Sequence, residues 1–507
     1  PLYFKNPSKW KQFKIFSCRN FFAKVADKQF VLFALLVPPL LAIILGFFTK
    51  NIAGTDDNEM KYIFSANENL PAYIFMSVIV SLFVGLIISA EEIIKDRRLV
   101  ERESYLNLNR GSYLISKIFF LFILTAAQMF VFVIIGNTIL QIQGLNFGYW
   151  VVLFSTGCFA VLLGLNISSA LKSLIAIYIN IPFILVPLIL LAGVIVKFDK
   201  LHPKVTSEEY VPLVGDLMAS RWAYEALIVN QFLNNDYQKH FNELERKKLN
   251  YQYEVNFLIP ELLNRISDYD QSVETGNSQE ASKSLSLIKD GLLSLSTSPT
   301  VSDSVIAVRM HSNFSGRELA KNHQMNHSIR LLLIHNEKEI NTRKLRNYLT
   351  KYKKNLARRI YQLNHESDLI IENMIQNGIR KKDIVSMRKK FENESIRDLV
   401  MNNNELRKIE VRNGKLIRKY APVYQKPRSK TGRAQFYASK KRLGNFEIDT
   451  FLFNLTVIWF MNLLLYASLY FKWLKKLINL LQRQKLTGIF NYLNGKTRNN
   501  SIKKLIN

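Results

Sequence analysis

Residues 29–48 read QFVLFALLVPPLLAIILGFF and carry no charged side chain. A helix needs about 20 apolar residues to cross about 30 Å of hydrocarbon, and this stretch has that length. Pro38 and Pro39 sit in its middle. A soluble helix breaks at such a pair, whereas a membrane helix kinks and persists because its neighbours satisfy the freed backbone groups. Comparable apolar runs follow at 71–90, 116–135, 149–170, 174–196 and 450–471. One run would suit a buried soluble core, but six of this length predict an all-α membrane protein with six transmembrane helices.

The mean hydropathy of +0.01 hides this unevenness, because the remaining residues are polar and basic. The 507 residues carry 69 Lys and Arg against 40 Asp and Glu, a net charge of +29. No zinc-finger, RNP-like or helix-turn-helix pattern accompanies that charge, so nucleic acid is not expected as a partner. Membrane lipids are, since such proteins keep Lys and Arg at their cytoplasmic edges. Lys5 to Lys28 before the first run, Lys95 to Arg110 after the second and Lys472 to Lys485 after the sixth are rich in cations. The 49–70 loop is net acidic, and the 136–148 loop is uncharged. The bias predicts both termini in the cytoplasm, probing the outside only through the alternate loops. Cys18 and Cys158 define no disulfide framework, and CxxC spacing is absent.

Five regions follow: 1–28, a cytoplasmic amphipathic connecting helix; 29–197, helices 1–5 with a cytoplasmic loop at 91–115; 198–449, a large extracytoplasmic insertion; 450–472, helix 6; and 473–507, a basic cytoplasmic tail. Within the insertion, 237–266 has apolar residues near helical spacing, Thr275 to Ser278 reads as a turn, and 284–295 reads as a short helix. Residues 329–402 read as long helices broken near Asn377–Gly378. Leu331, Leu345, Leu349, Leu356, Ile360 and Leu363 form a stripe that predicts a helical hairpin or coiled coil, with packing inside the chain favoured over a partner face. Residues 407–445 contain Pro422, Pro427, Gly432 and Gly444 and read as irregular or short strands.

Two motifs carry a resemblance. Glu91-Glu92-Ile-Ile-Lys95 closes the second run, and Asp96-Arg97-Arg98-Leu99-Val100-Glu101-Arg102-Glu103-Ser104 and Gly111-Ser112-Tyr113 lead into the third. This resembles the cytoplasmic loop of ABC exporter permeases of the G subfamily, the white and pleiotropic drug resistance transporters. Ser220-Arg221-Trp222-Ala223-Tyr224-Glu225-Ala226-Leu227-Ile228-Val229-Asn230-Gln231-Phe232 is similar to that family's S-P-R-Y-x-x-E-A-L-x-x-N-E-F signature. Ala219-Ser220, Trp222 and Gln231 depart from it. The resemblance covers roughly residues 10–235 and 450–475; the block 236–449 exceeds the family's usual outer loop, and Arg433 to Gly444 is similar to enlarged Bacteroidetes permeases.

The resemblance implies that Glu101, Arg102, Glu103 and Tyr113 belong to a coupling helix resting on a nucleotide-binding domain. It implies a re-entrant element at about 210–233 that uses Arg221, Tyr224, Glu225 and Asn230, and a homodimer with its pathway between the second and fifth helices. Phe75, Ser81 and Phe83 in the second, and Asn180 and Phe183 in the fifth, are the polar or aromatic candidates there. The substrate expected is a lipid, peptide or other amphiphile, exported across a bacterial inner membrane, with a periplasmic partner for the insertion. No G-x-x-x-x-G-K-[ST] occurs. The chain therefore needs no cofactor of its own, and ATP and Mg are expected on an associated ABC nucleotide-binding domain, on an upstream part of a longer chain or on a separate subunit. His323 and His327 are four residues apart, but Gln324 stands where a zinc motif needs glutamate. No catalytic or metal site is expected. The alternative is a membrane-anchored scaffold or sensor whose outer helices bind an envelope partner.

Overall fold

The computed structural model describes residues 7–52, 54–56, 59–104, 108–171, 173–202, 204–206, 210–296, 341–427 and 429–480. Helix α1 (Lys9–Ala26) starts at Ser8, whose hydroxyl accepts from the Lys11 amide. Asp27 ends it and caps α2 (Lys28–Thr49) by accepting from the Phe30 amide at 3.1 Å. The chain therefore turns between a polar helix and an apolar one at a single residue. Helix α2 runs unbroken through Pro38 and Pro39. A short hairpin, β1 (Gly54–Asp56) with β2 (Glu59–Lys61), precedes α3 (Leu70–Ala90). Short helices α4 (Glu92–Lys95) and α5 (Arg97–Ser104) lead to α6 (Arg110–Ile139), α7 (Asn146–Ala170) and α8 (Leu174–Leu190).

Five helices among the described residues are long and apolar enough to cross a membrane: those beginning at Lys28, Leu70, Arg110, Asn146 and Thr450. Helix α8 has 17 residues and is shorter. The sequence expectation carried it to residue 196, but the helix stops at Leu190 and the chain turns at Gly193, with φ +80°. An ~1.5 Å rise per residue makes it roughly 25 Å long.

Helices α3 and α7 form the middle of the bundle. Gly85 lets them touch: a Cβ there would lie 2.6 Å from the Gly157 carbonyl oxygen and 2.8 Å from the Ala160 Cβ. Small residues serve this purpose where no hydrophobic force separates helix from lipid. Ser81 Oγ donates to the Leu153 carbonyl at 2.6 Å, satisfying a hydroxyl that is fully buried. Gln128 of α6 reaches the Ala34 carbonyl of α2 at 2.8 Å. Leu32, Phe33, Leu35, Phe119 and Ile123 on the outside of α2 and α6 are exposed, as a lipid-facing surface requires.

After α8 come α9 (Leu213–Asp216), α10 (Ala219–Leu233), α11 (Asn242–Tyr253), α12 (Ile259–Glu274) and α13 (Ser278–Ser296). Then follow α14 (Thr342–Gln376), α15 (Lys381–Phe391) and α16 (Glu394–Met401). Leu345, Leu349, Leu356 and Leu363 are buried in a second core with Leu262, Ile266, Ile288 and Leu292, and Ile360 packs against it. The stripe therefore packs inside the chain; Leu331, His323 and His327 lie outside the described residues. Residues 407–449 contain two antiparallel hairpins, β3 (Ile409–Arg412) with β4 (Lys415–Arg418) and β5 (Lys440–Leu443) with β6 (Phe446–Asp449), so the short strands expected over 407–445 run four residues further. Asn413 and Gly414, at φ 50° and 73°, supply the two positive dihedrals that the first turn needs. Helix α17 (Thr450–Phe471) returns to the bundle, where Asn166 of α7 donates to its Leu465 carbonyl at 2.9 Å.

The apolar helices run between two polar ends. At one, α1, residues 91–104 and 108–110, Ser168 and Lys475 come together. At the other, the insertion grips the 50–70 loop: Asn393 Nδ2 donates to the Phe64 and Asn67 carbonyls at 2.8 and 2.9 Å. Substitution Gly85→Ala should lower stability by about 1–3 kcal/mol, because the α3–α7 backbones must separate to admit the methyl. The thermal unfolding midpoint in detergent measures this, and an unchanged midpoint would mean that the two helices do not pack this closely.

Candidate functional site

Two buried ionic clusters sit at opposite ends of the bundle. The first is built on Glu92, which is 4% exposed. Its Oε2 accepts from Lys117 Nζ of α6 at 2.8 Å, and its Oε1 pairs with Lys24 of α1. Lys117 also reaches Asp96 at 2.8 Å, and the Tyr113 hydroxyl donates to the same carboxylate oxygen at 3.1 Å. The Ile93 and Ile94 amides donate to Ser168 Oγ of α7, both at 3.1 Å. Glu91 pairs with Lys95 and accepts from the Tyr178 hydroxyl of α8. Helix α1 is fastened further by Gln12, which accepts from the Asn109 amide at 2.7 Å, and by Asn20, which donates to Ser116 Oγ at 3.1 Å.

Among the residues singled out from the loop motif, Tyr113 belongs to this cluster and is buried edge-on against Phe16, ring centres 6.0 Å apart. Glu101 pairs with Arg97 at 3.5 Å, and both Glu101 and Arg102 present exposed side chains on α5. The side chain of Glu103 lies outside the described residues. A cavity of about 270 Å³, lined by Phe16, Arg97, Glu101, Tyr113 and Lys475 among others, opens beside them. Sequence reading quotes Glu92 within the loop motif but gives no role to it, to Lys24 or to Lys117. The available signal is Lys117, a cation at the opening of an apolar run, which needs a carboxylate nearby.

The second cluster centres on α10, whose residues Ala219 to Phe232 are all buried. Glu225 is fully buried and pairs with Lys441 of β5 at 2.6 Å and with Arg221 at 3.5 Å. Asn454 of α17 donates to Glu225 Oε2 at 2.8 Å and accepts from Lys441 at 2.8 Å. The Tyr437 amide donates to the other carboxylate oxygen at 3.2 Å. Arg221 lies over the Trp222 ring at 3.8 Å and pairs with Asp216 at 3.6 Å. Tyr224 packs edge-on against Phe75, ring centres 5.6 Å apart. Asn230 accepts from Asn234 at 2.7 Å beside Gly148 of α7. Burial alone would raise the Glu225 carboxyl, but Arg221 and Lys441 hold it below its ordinary value. Burial, helped by the charge of Arg221, pushes Lys441 down to about 7. Two cations share one buried carboxylate, and the lysine gives way because a guanidinium stays protonated. Sequence reading brings forward Arg221, Tyr224, Glu225 and Asn230 but not Lys441 or Asn454, which lie more than 200 positions further along.

The five pathway candidates divide. Phe75 and Ser81 are buried inside the protomer. Asn180 donates to the Ala176 carbonyl at 2.7 Å. Phe83 and Phe183 are exposed, as are Met76 and Ile87 of α3 and Ile179 and Val186 of α8.

A bundle of long apolar helices with ion-paired polar ends is the construction of an integral membrane protein. Residues 11–232 match the family described as ABC-2 type transporter. The match runs from α1 to the last buried residue of α10 and stops before most of the insertion. No curated protein matches the chain. The match and the apolar helices together support a transmembrane permease component of an ABC transporter, and permease domains of this type typically work with ABC ATPase subunits.

Replacing Glu225 by Gln leaves buried Arg221 with Asp216 alone, removes the carboxylate that favours the charged form of Lys441, and should cost about 3–5 kcal/mol. Lys441→Met should cost less, since Arg221 still faces Glu225. Thermal unfolding of both variants checks the order, and a reversed order would remove Glu225 from the centre of the cluster. The lysine also sets a pH dependence. Between about pH 7 and its ordinary value near 10.4 the unfolded chain holds a proton that the folded chain has released. The stability of the natural chain relative to Lys441→Met should therefore rise with pH across that window. A flat difference from pH 6.5 to 9, roughly the range over which such titration is followed, would mean that Lys441 does not titrate there.

Proposed function

We propose that the chain is the permease half of an ATP-driven exporter of the G-subfamily kind, working as a homodimer and moving an amphipathic substrate across a bacterial inner membrane. Its ATP and Mg reside on a partner nucleotide-binding domain. The observation that carries this reading is the Glu92 cluster: one carboxylate joins α1, α4 and α6 directly beneath an exposed, charged α5. A force applied to Glu101 and Arg102 would pass through Arg97 and Asp96 to Lys117 and so to the long helix α6. Such a connection suits a part that receives a push from an ATPase.

In this reading all six apolar helices cross the membrane, α8 included, with both termini on the ATPase side and the insertion on the other. The exposed aromatic residues Phe83 and Phe183 supply the dimer face and the substrate path. Phe75 and Ser81 shape the helices behind it, and Asn180 stiffens α8. The insertion is the part suited to an envelope partner.

The double charge reversal Glu101→Lys with Arg102→Glu, in the native assembly purified in mild detergent, should bring substrate-stimulated ATP hydrolysis down to the basal level while leaving membrane insertion intact. Stimulated hydrolysis at the level of the natural chain would remove α5 from the coupling path. An intact assembly containing no Walker-motif ATPase would replace the transporter reading with the scaffold.

A further inference from the structure

Two cavities adjoin where the insertion closes over the end of α8. The first, of about 180 Å³, is walled by Val194, Phe198, Val211, Tyr224, Phe436 and Tyr437. The second, of about 400 Å³, carries Lys415, Lys426 and Arg442 together with Glu254 and Asp290. Arg418, Gln425 and Gln435 line both. A mainly apolar chamber, with Lys197, Asp199 and Lys419 also in its lining, therefore shares a wall with a polar one in which cations outnumber acids. The two acids already serve the fold: Asp290 accepts from the Leu416 amide at 2.8 Å, and Glu254 from the Tyr352 hydroxyl at 3.2 Å.

The junction between the chambers is held in place and incompletely satisfied. Arg418 donates to the Tyr420 carbonyl and to Asn250 Oδ1, both at 2.8 Å, and its guanidinium lies 4.2 Å from the Tyr253 ring centre. The Gln425 amide donates to the Arg418 and Tyr420 carbonyls at 3.2 and 3.1 Å. Gln435 Oε1 is buried and has no hydrogen-bond partner among the described residues. A buried acceptor without a donor is costly, and a ligand that supplies the donor removes the cost. Tyr437 beside it has φ 69°, a strained backbone for a bulky side chain, fixed by the bond from its amide to Glu225. Apolar walls with a few convergent polar groups are the construction of a small-molecule site.

We propose that the two chambers open into one another across this shared wall and bind one amphiphile, an acyl chain with an anionic head. The chain lies against Phe198, Phe436 and Tyr437. The head sits among Lys415, Lys426 and Arg442, and a hydroxyl or amide near the head donates to Gln435 Oε1. The site is formed by the insertion and the turn after α8, and it does not depend on coupling to an ATPase. A lipid that is carried and a lipid that stays bound would present the same chemistry.

The test uses the full chain in phosphatidylcholine nanodiscs with three diazirine probes of equal chain length: a 2-hydroxy fatty acid, a lysophosphatidic acid and a fatty alcohol. Cross-linked residues are mapped by mass spectrometry. The two anionic probes should label the 194–198 and 435–437 segments several-fold more than the alcohol does. Lys415→Glu with Lys426→Glu, both exposed positions, should abolish that preference, and Val194→Trp should block labelling of the apolar chamber. Pulse-chase with unlabelled 2-hydroxy fatty acid separates the two sources, since a carried lipid exchanges and a resident one is retained; either outcome supports the site. Labelling confined to the exposed faces of α2 and α6, or equal labelling by the alcohol, would overturn the proposal. Neither readout uses ATP hydrolysis, so failure here leaves the transport reading to its own test.

Discussion

A carboxylate taken out of water has to bring cations with it. Glu92 meets that requirement by drawing one lysine from α1 and another from α6, and much of the geometry at that end follows. Helix α1 must lie across the start of α6 for Lys24 to reach, and the reversal between α3 and α4 must be tight for Glu92 to face inward. Ser168 Oγ accepts from the two amides that follow Glu92, so the end of α7 is held in the same knot. A polar network this enclosed is stable only when its members are satisfied together, which leaves few arrangements open to the segments that supply them.

The opposite end repeats the logic with different chemistry. Glu225 gathers Arg221 from its own helix, Lys441 from a hairpin and Asn454 from the last apolar helix. Residues distant in the chain thus become neighbours through one buried charge. The insertion is therefore more than an appendage on a loop. Its closing hairpin is clamped between α10 and α17, and its Asn393 holds the 50–70 loop from the other side. A displacement of the insertion has a direct mechanical route to three apolar helices.

How much of this the sequence discloses depends on whether an element is defined locally. The first, second and sixth apolar runs were legible almost to the residue, because length and hydropathy act within one segment: 450–471 coincides with Thr450–Phe471, whereas the helix of the third, read as 116–135, spans Arg110–Ile139 and adds polar turns that hydropathy does not mark. The break at Asn377–Gly378 and the stripe of Leu345, Leu349 and Leu356 were legible for the same reason. The fifth run was not, since apolar residues continue past Leu190 while the helix does not. There Gly193 turns the chain and Phe198 packs back against it, a tertiary contact invisible to a hydropathy window. Residues 407–445 were read only as irregular or short strands because their hairpins are four residues per strand, too short for alternation to show. At the sites, motifs brought forward Tyr113, Arg221 and Glu225, yet the lysines that make the buried carboxylates Glu92 and Glu225 tolerable, Lys24 and Lys117 for the first and Lys441 for the second, lie on other helices or strands. Charge pairing across long separations leaves little local trace.

The two knots and the α3–α7 contact together determine what kind of motion the bundle supports. With the Gly157 carbonyl pressed against Gly85, the two helices have no slack for sliding, since close-packed interfaces shift between discrete arrangements and do not deform smoothly. Movement at the Glu92 end therefore passes along α3 and α7 as a tilt of the pair. Helix α8 is built differently. It buries one stripe, Ile177, Ile181, Leu185 and Leu188, and two prolines remove backbone donors from its interior. It is tied at one end by Tyr178 to Glu91 and at the other by Ser220 to the Leu188 carbonyl. Each tie belongs to a neighbourhood of one ionic knot, so a tilt of α3 relative to α10 has to be absorbed along α8, the helix whose backbone bonding is already interrupted.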